Sequence, residues 1–171
     1  MNVHEAIRIR RSVRVYQDKP VPEDVLKRIL EAARLAPSGN NHQSRKFVVV
    51  TDRIIKEKLA QAAKNQSFVA EAPVVIAAVG LNPEKIMSCG IQGDPVDVAI
   101  SADHMTLAAV EEGLGTCWIG AFLQDQVCGI LNIPKPYRVI TLLTLGYPAD
   151  TSGSKNRKSL GEVVCYQQFS L

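Results

Sequence analysis

The chain has 171 residues, 46% of them hydrophobic and 22% charged, with a formal net charge of +3. That is enough for one domain, residues 1–171, with a core of its own, and no biased tract points to a low-complexity chain. No apolar run approaches the roughly 20 residues that span a bilayer, and MNVHEAIRIRR lacks the apolar stretch of a signal peptide. A cytoplasmic protein with no membrane partner is expected.

The charge is unevenly spread. Residues 1–64 carry 14 Lys and Arg against 7 Asp and Glu, whereas residues 65–150 carry 3 against 9. The basic part centres on RIRRSVRVY, residues 8–16, so an anionic partner is expected there: nucleic acid or a small phosphate-bearing molecule. Cys89, Cys117, Cys128 and Cys165 form no C-x-x-C pair, which argues against structural zinc. They are expected to be free, mostly buried thiols in a reducing compartment.

In chain order, Asn2 and Glu5 have capping-box spacing and open a short helix that delivers the arginines at its C-terminal end. Val13, Val15 and Tyr16 read as an extended piece. A second helix starts at Pro22, buries a stripe containing Val25, Ile29 and Ala33, and ends at Pro37 before the loop PSGNNHQ. Residues 47–50 form a strand, and Asp52 caps a helix reaching about Lys64. VVIAAVGL is an apolar strand of the kind buried on both faces.

The stretch 81–93 gives no clear reading as loop or broken helix. A long Ala-rich helix runs from Asp94 to Gly113, central in the core or at a dimer interface. TCWIG is a short strand, residues 124–131 a short helix, and residues 139–145 an apolar strand. The order describes an α+β or three-layer sandwich.

Familiar catalytic signatures are missing: no H-E-x-x-H, no Walker A, no G-x-S-x-G. His104 sits mid-helix without metal-ligand spacing and is expected to be packed or at the surface, and no metal site is expected. What the chain does carry is holding chemistry. Guanidinium groups match phosphate oxygens two at a time, and the PSGNN loop suits close approach of a flat polar ligand. The glycines of GLGTCWIG allow a planar group against main chain.

Four segments in order, RRSVRVY, APSGNNHQ, GLGTCWIGAF and LGYPAD followed by NRKSLGEVV, give the chain a resemblance to the FMN-dependent nitroreductase family. The resemblance implies a three-layer α/β/α sandwich with a mainly antiparallel sheet, forming an intertwined homodimer with two FMN molecules in its interface. It implies that Arg10, Arg11 and Ser12 hold the phosphate and ribityl region, and that Arg14 reaches the ring. Pro37, Ser38, Gly39 and Asn41 would come from the partner subunit. Trp118, Ile119 and Gly120 would pack along the ring, Lys155 and Arg157 would close on the phosphate, and Gln66 would touch the ring.

The activity so implied is hydride transfer from NAD(P)H through flavin N5 to nitroaromatic, quinone or similar acceptors in a ping-pong cycle, with no catalytic side chain. Three alternatives stand beside it: another reduction on the same fold, such as enone reduction or dehalogenation; a non-enzymatic flavin-binding protein; and a nucleic-acid binder. The last is disfavoured by an aromatic content of 5%, which leaves few stacking platforms. One departure stands out: many relatives follow the asparagine loop with Gln-Pro-Trp, where this chain has Gln43, Ser44 and Arg45. The short 81–93 segment leaves little material for a lid, and Cys89 lies in it.

Overall fold

Four apolar stretches pair into an antiparallel sheet with helices on both faces, in a computed structural model that describes residues 1–150 and 156–170. In chain order the elements are α1 (Val3–Ile9), α2 (Glu23–Leu35), a single 3-10 turn (Gly39–Asn41), β1 (Arg45–Val50), α3 (Arg53–Ala62), α4 (Phe68–Glu71), β2 (Val74–Gly80), α5 (Gly93–Glu111), β3 (Gly115–Ile119), α6 (Gln124–Ile130), β4 (Arg138–Gly146) and α7 (Leu160–Val163).

The strand order is β1-β2-β4-β3, and every neighbouring pair is antiparallel. Side chains alternate across the sheet, so each strand feeds two cores. Val75, Ala77, Val79 and Leu142 meet Leu59, Val69 and Val127 from α3, α4 and α6. Val74, Ile76, Leu143 and Leu145 meet Ile29 and Ala33 of α2 and Met105 and Ala109 of α5. These two cores are the expected sandwich, and they explain why β2 is apolar throughout: neither of its faces reaches water.

The caps follow the sequence. The Asn2 side chain accepts from the Glu5 amide at 2.9 Å, and that of Asp52 accepts from the Ile55 amide at 2.9 Å. Helix α5 ends where Gly113 adopts φ 72°, a left-handed conformation that costs glycine little. Its amide reaches Val110 O at 3.0 Å, and the Leu114 amide reaches Ala109 O at 2.7 Å, turning the chain directly into β3.

Some expectations need correction. Helix α3 stops at Ala62 rather than near Lys64, because Lys64 and Asn65 turn left-handed at φ 61° and 58°. Helix α4 is too short to show a period. The 81–93 stretch is a closed excursion, pinched by a bridge between Ile86 and Gln92 and by the Gln92 side chain donating to Pro83 O at 2.6 Å. The thiols are not mostly buried: Cys117 is, Cys128 is half-buried, and Cys89 and Cys165 are exposed. Cys89 lies in that excursion and Cys165 on the exposed segment 156–170, so neither enters a core. That segment also exposes Leu160, Val163, Tyr166 and Phe169, the last two 83% accessible.

Candidate cofactor site

Residues 10–16 do not hang free. They are laid along the outer edge of β3. Ser12 forms a parallel bridge with Thr116, and the Val13 amide donates to Thr116 O at 2.9 Å. Val13 is buried over Gly115, where a side chain would collide with its methyl groups. The Tyr16 hydroxyl donates to Val13 O at 2.7 Å and shares a 2.6 Å hydrogen bond with Thr144 Oγ1. Burial pushes this phenol well above its ordinary pKa, so it stays a neutral brace. A second set of ties, Gln17 amide to Tyr147 O at 2.9 Å and Ala149 amide to Val15 O at 3.0 Å, fixes the segment to the chain leaving β4.

This scaffold sorts the arginines. Arg10 closes the C-terminus of α1, its amide on Ala6 O at 2.9 Å, and among the described residues its guanidinium has no carboxylate partner. Arg11 turns inward: its Nη2 lies 2.6 Å from Asp150 Oδ1. The guanidinium holds the Asp150 carboxyl below the usual range. Arg14 points outward, stacked 5.9 Å from the centroid of the Phe68 ring. Trp118, two residues past Thr116 on β3, is 41% exposed.

Trp118 faces away from its buried neighbours Cys117 and Ile119. Burial pushes the Cys117 thiol up, against the pull of Arg14 and a hydrogen bond from Ser12. Gly120 is open, with nothing within 4 Å of where its side chain would stand. Gln66 joins this end of β3, donating to Ala63 O at 2.7 Å and to Ala121 O at 3.3 Å. Arg10, Ser12, Arg14, Gln66 and residues 118–120 thus share one edge of the molecule.

Pro37, Ser38, Gly39 and Asn41 do not. Their loop follows α2, and the Gly39 amide donates to Asp97 Oδ1 at 2.9 Å, which ties the loop to the first turns of α5. The arginine segment is tied to Thr116, just past the other end of that helix. The helix from Asp97 to Glu111 rises about 21 Å, so the loop is tied near its start and the arginine segment to the strand that follows its end. Of the remaining expected residues, Arg157 is exposed, its guanidinium on Asn156 O at 2.9 Å, and Lys155 lies outside the described residues.

Several contributors are not singled out in the sequence. Asp150, at the end of LGYPAD, and Phe68 and Thr144, outside the four segments, act on the arginine segment from distant parts of the chain. Asp97 left a trace: Asp94 and Asp97 share the helical phase of buried Val98, Ala102 and Met105, and acids on a buried stripe mark a polar task.

The nitroreductase family model matches residues 7–79 and 57–147. A nitroreductase family protein from Clostridium novyi NT, solved as a crystal structure, is 36% identical and superposes with a TM-score of 0.84, covering 88% of this chain and 87% of that one. A Bacillus subtilis protein named FMN reductase [NAD(P)H] is 32% identical over 86% of this chain and 66% of its own length. The NADPH:FMN oxidoreductase of Vibrio harveyi, solved with NAD+, is 28% identical with a TM-score of 0.91, covering all of this chain (100%) and 79% of that one.

Proposed function

Because the chain belongs to the nitroreductase family, we propose that it is an FMN-dependent oxidoreductase working as a homodimer, with FMN held between the two chains. It passes hydride from NAD(P)H to small acceptors such as nitroaromatics or quinones, taking reductant and acceptor in turn in a ping-pong cycle. The observation that carries this reading is the division of donors between the two ends of α5. Two donor sets tied at opposite ends of α5 in one chain complete a single site when a second chain brings its own 37–41 loop across.

The edge of the molecule formed by the arginine segment and the end of β3 fits FMN by its donor chemistry. Arg10 and Ser12, charged and hydroxyl donors held in place by the Thr116 bridge, would take the phosphate and the ribityl hydroxyls. Arg14, fixed by Phe68, would meet the polar edge of the ring, and residues 118–120 would lie along it with main chain. Arg11 braces the segment with Nη2 on Asp150 and would meet the phosphate with its remaining N–H groups. Lys155 and Arg157, on the chain after β4, would close over the phosphate.

Bound FMN supplies the redox chemistry, taking hydride at N5 and passing it on. The protein supplies orientation and field. Arg14 sets a permanent positive charge where negative charge gathers on reduction, and so favours the reduced form. The Phe68 ring, 5.9 Å away, gives that exposed guanidinium a cation–π contact. No side chain has to serve as nucleophile or general acid, in keeping with a site built of arginines, amides and main chain.

The test is an anaerobic absorbance spectrum of the purified protein before and after NADH, then NADPH. A flavin band near about 450 nm that bleaches on addition supports the reading. A colourless protein that takes up no added FMN refutes it. Sedimentation of the coloured protein tests the shared site: a flavin-loaded monomer refutes it.

A further inference from the structure

We propose that Arg45 and Asp97 are positioning residues that hold the 37–41 loop of one chain in the shape that meets FMN on the partner; the inference rests on the function proposed above. The loop has an uncomfortable backbone. Asn40 and Asn41 stand at φ 51° and 56°, a left-handed region that asparagine tolerates, and Gln43 follows at 54°, where a longer side chain needs support from its surroundings. Within the loop, two side-chain contacts restrain it: Ser38 Oγ accepts from the Gln43 amide at 2.9 Å, and the Gln43 side chain donates to Asn41 O at 3.3 Å. Backbone bonds from the Asn41 amide to Ser38 O at 2.9 Å and from the His42 amide to Gly39 O at 3.1 Å close the turn, and further contacts come from outside the loop.

Arg45, the first residue of β1, reaches back over the end of α2. Its guanidinium donates to Ala36 O at 2.5 Å, Arg34 O at 3.1 Å and Pro37 O at 3.3 Å. These are carbonyls that a helix C-terminus leaves without donors, and the helix dipole favours a cation there. Burial pulls the Arg45 pKa down while the charge of Asp97 pushes it back up, so the two residues feel one another.

Asp97 takes the opposite polarity. It lies on the buried stripe of α5 and accepts the Gly39 amide at 2.9 Å. A cation therefore gathers the carbonyls entering the loop, and an anion takes the amide at its turn. Lys85, from the 81–93 excursion, also comes close to Gly39 on this side. Arg45 stands where many relatives of the resemblance carry an apolar anchor, so this chain secures the loop by hydrogen bonds rather than by packing.

The experiment compares Asp97→Ala, Asp97→Asn, Arg45→Ala and Arg45→Lys with the wild-type dimer. FMN affinity is read by fluorescence titration, and exchange of the Gly39 and Gln43 amides by mass spectrometry, with circular dichroism and sedimentation confirming folded dimers. Both alanine variants should bind FMN about tenfold more weakly, because the loop must be ordered at the expense of binding. Their Gly39 and Gln43 amides should exchange faster. Asp97→Asn keeps an acceptor oxygen and should stay within about twofold of wild type. Arg45→Lys offers a single point of donors, cannot span three carbonyls, and should behave like Arg45→Ala.

Arg45 is only half-buried at a strand start, so it decides the matter where Asp97→Ala does not fold. A wild-type chain that takes up no FMN overturns the proposed function itself. Wild type that binds FMN, with Arg45→Ala binding it equally well and exchanging at the same rate, overturns this inference alone.

Discussion

Gly115→Ala probes whether the packing of Val13 on β3 sets the position of Arg14. A Cβ at residue 115 would stand 2.9 Å from Val13 Cβ, nearer still to one of its methyls, and 3.1 Å from Pro148 Cγ. Normal carbon contacts begin near about 3.5 Å, so several atoms must give. Val13 has little room to do so: it is 1% exposed, β-branched, and bonded through its amide to Thr116. Overpacking of this kind costs about 1–3 kcal/mol, and the displaced segment should take Ser12 and Arg14 with it. Urea unfolding of the apo protein and FMN titration should therefore shift together.

Val13→Ala by itself opens a cavity and costs about 2 kcal/mol. In the double variant it removes the nearest clashing atoms but leaves the 2.9 Å Cβ contact. The pair should cost less than the sum of the singles by about 1 kcal/mol, without full recovery. Strict additivity, or a Gly115→Ala protein with wild-type stability and FMN affinity, would show that this contact does not govern the arginine segment.

Other substitutions test the remaining braces. Arg14→Ala should weaken FMN and slow flavin reduction in parallel; stopped-flow rates and titrations that both match wild type would remove Arg14 from the site. Tyr16→Phe leaves Val13 O and the Thr144 hydroxyl without the phenol and should cost about 1–2 kcal/mol in urea unfolding, with no loss if the phenol is dispensable. Arg11 depresses the Asp150 pKa in the folded state, so the stabilisation is present at neutral pH and is lost as pH falls below about 4 through that lowered value. Asp150→Asn should accordingly lose stability at pH 7 and show a shallower acid limb. Superimposable acid limbs for the two proteins would refute the pairing as a source of stability.

Local chemistry accounts for what could be read from the chain. The sheet was visible because VVIAAVG and ITLLTL are apolar on both faces, and helix starts at Asn2 and Asp52 because a cap acts within three residues. The arginine segment and the asparagine loop announced themselves by residue type. Their braces did not. Arg11 meets Asp150, 139 residues away, and Gly39 meets Asp97, 58 residues away. Neither separation has a period, so no pattern along the chain encodes it. Arg45 read only as a departure from Gln-Pro-Trp, whereas its guanidinium makes three carbonyl contacts at the end of α2. The 81–93 excursion stayed illegible because hydrogen bonds across it, such as the Met87 amide to Ile91 O and the Gly93 amide to Lys85 O, and not hydrophobic periodicity, define it.

The 19 residues of α5 also bear on inheritance. On the proposed pairing, each flavin site draws its arginines from one chain and its asparagine loop from the other. A chain spoiled at Arg14 and a chain spoiled at the loop are then complementary defects. When they pair, one site collects both injuries and the other collects none. Random mixing of two inactive variants should restore roughly a quarter of the sites, half of the dimers having one intact site of two. Two alleles, each silent alone, would rescue one another in a single cell.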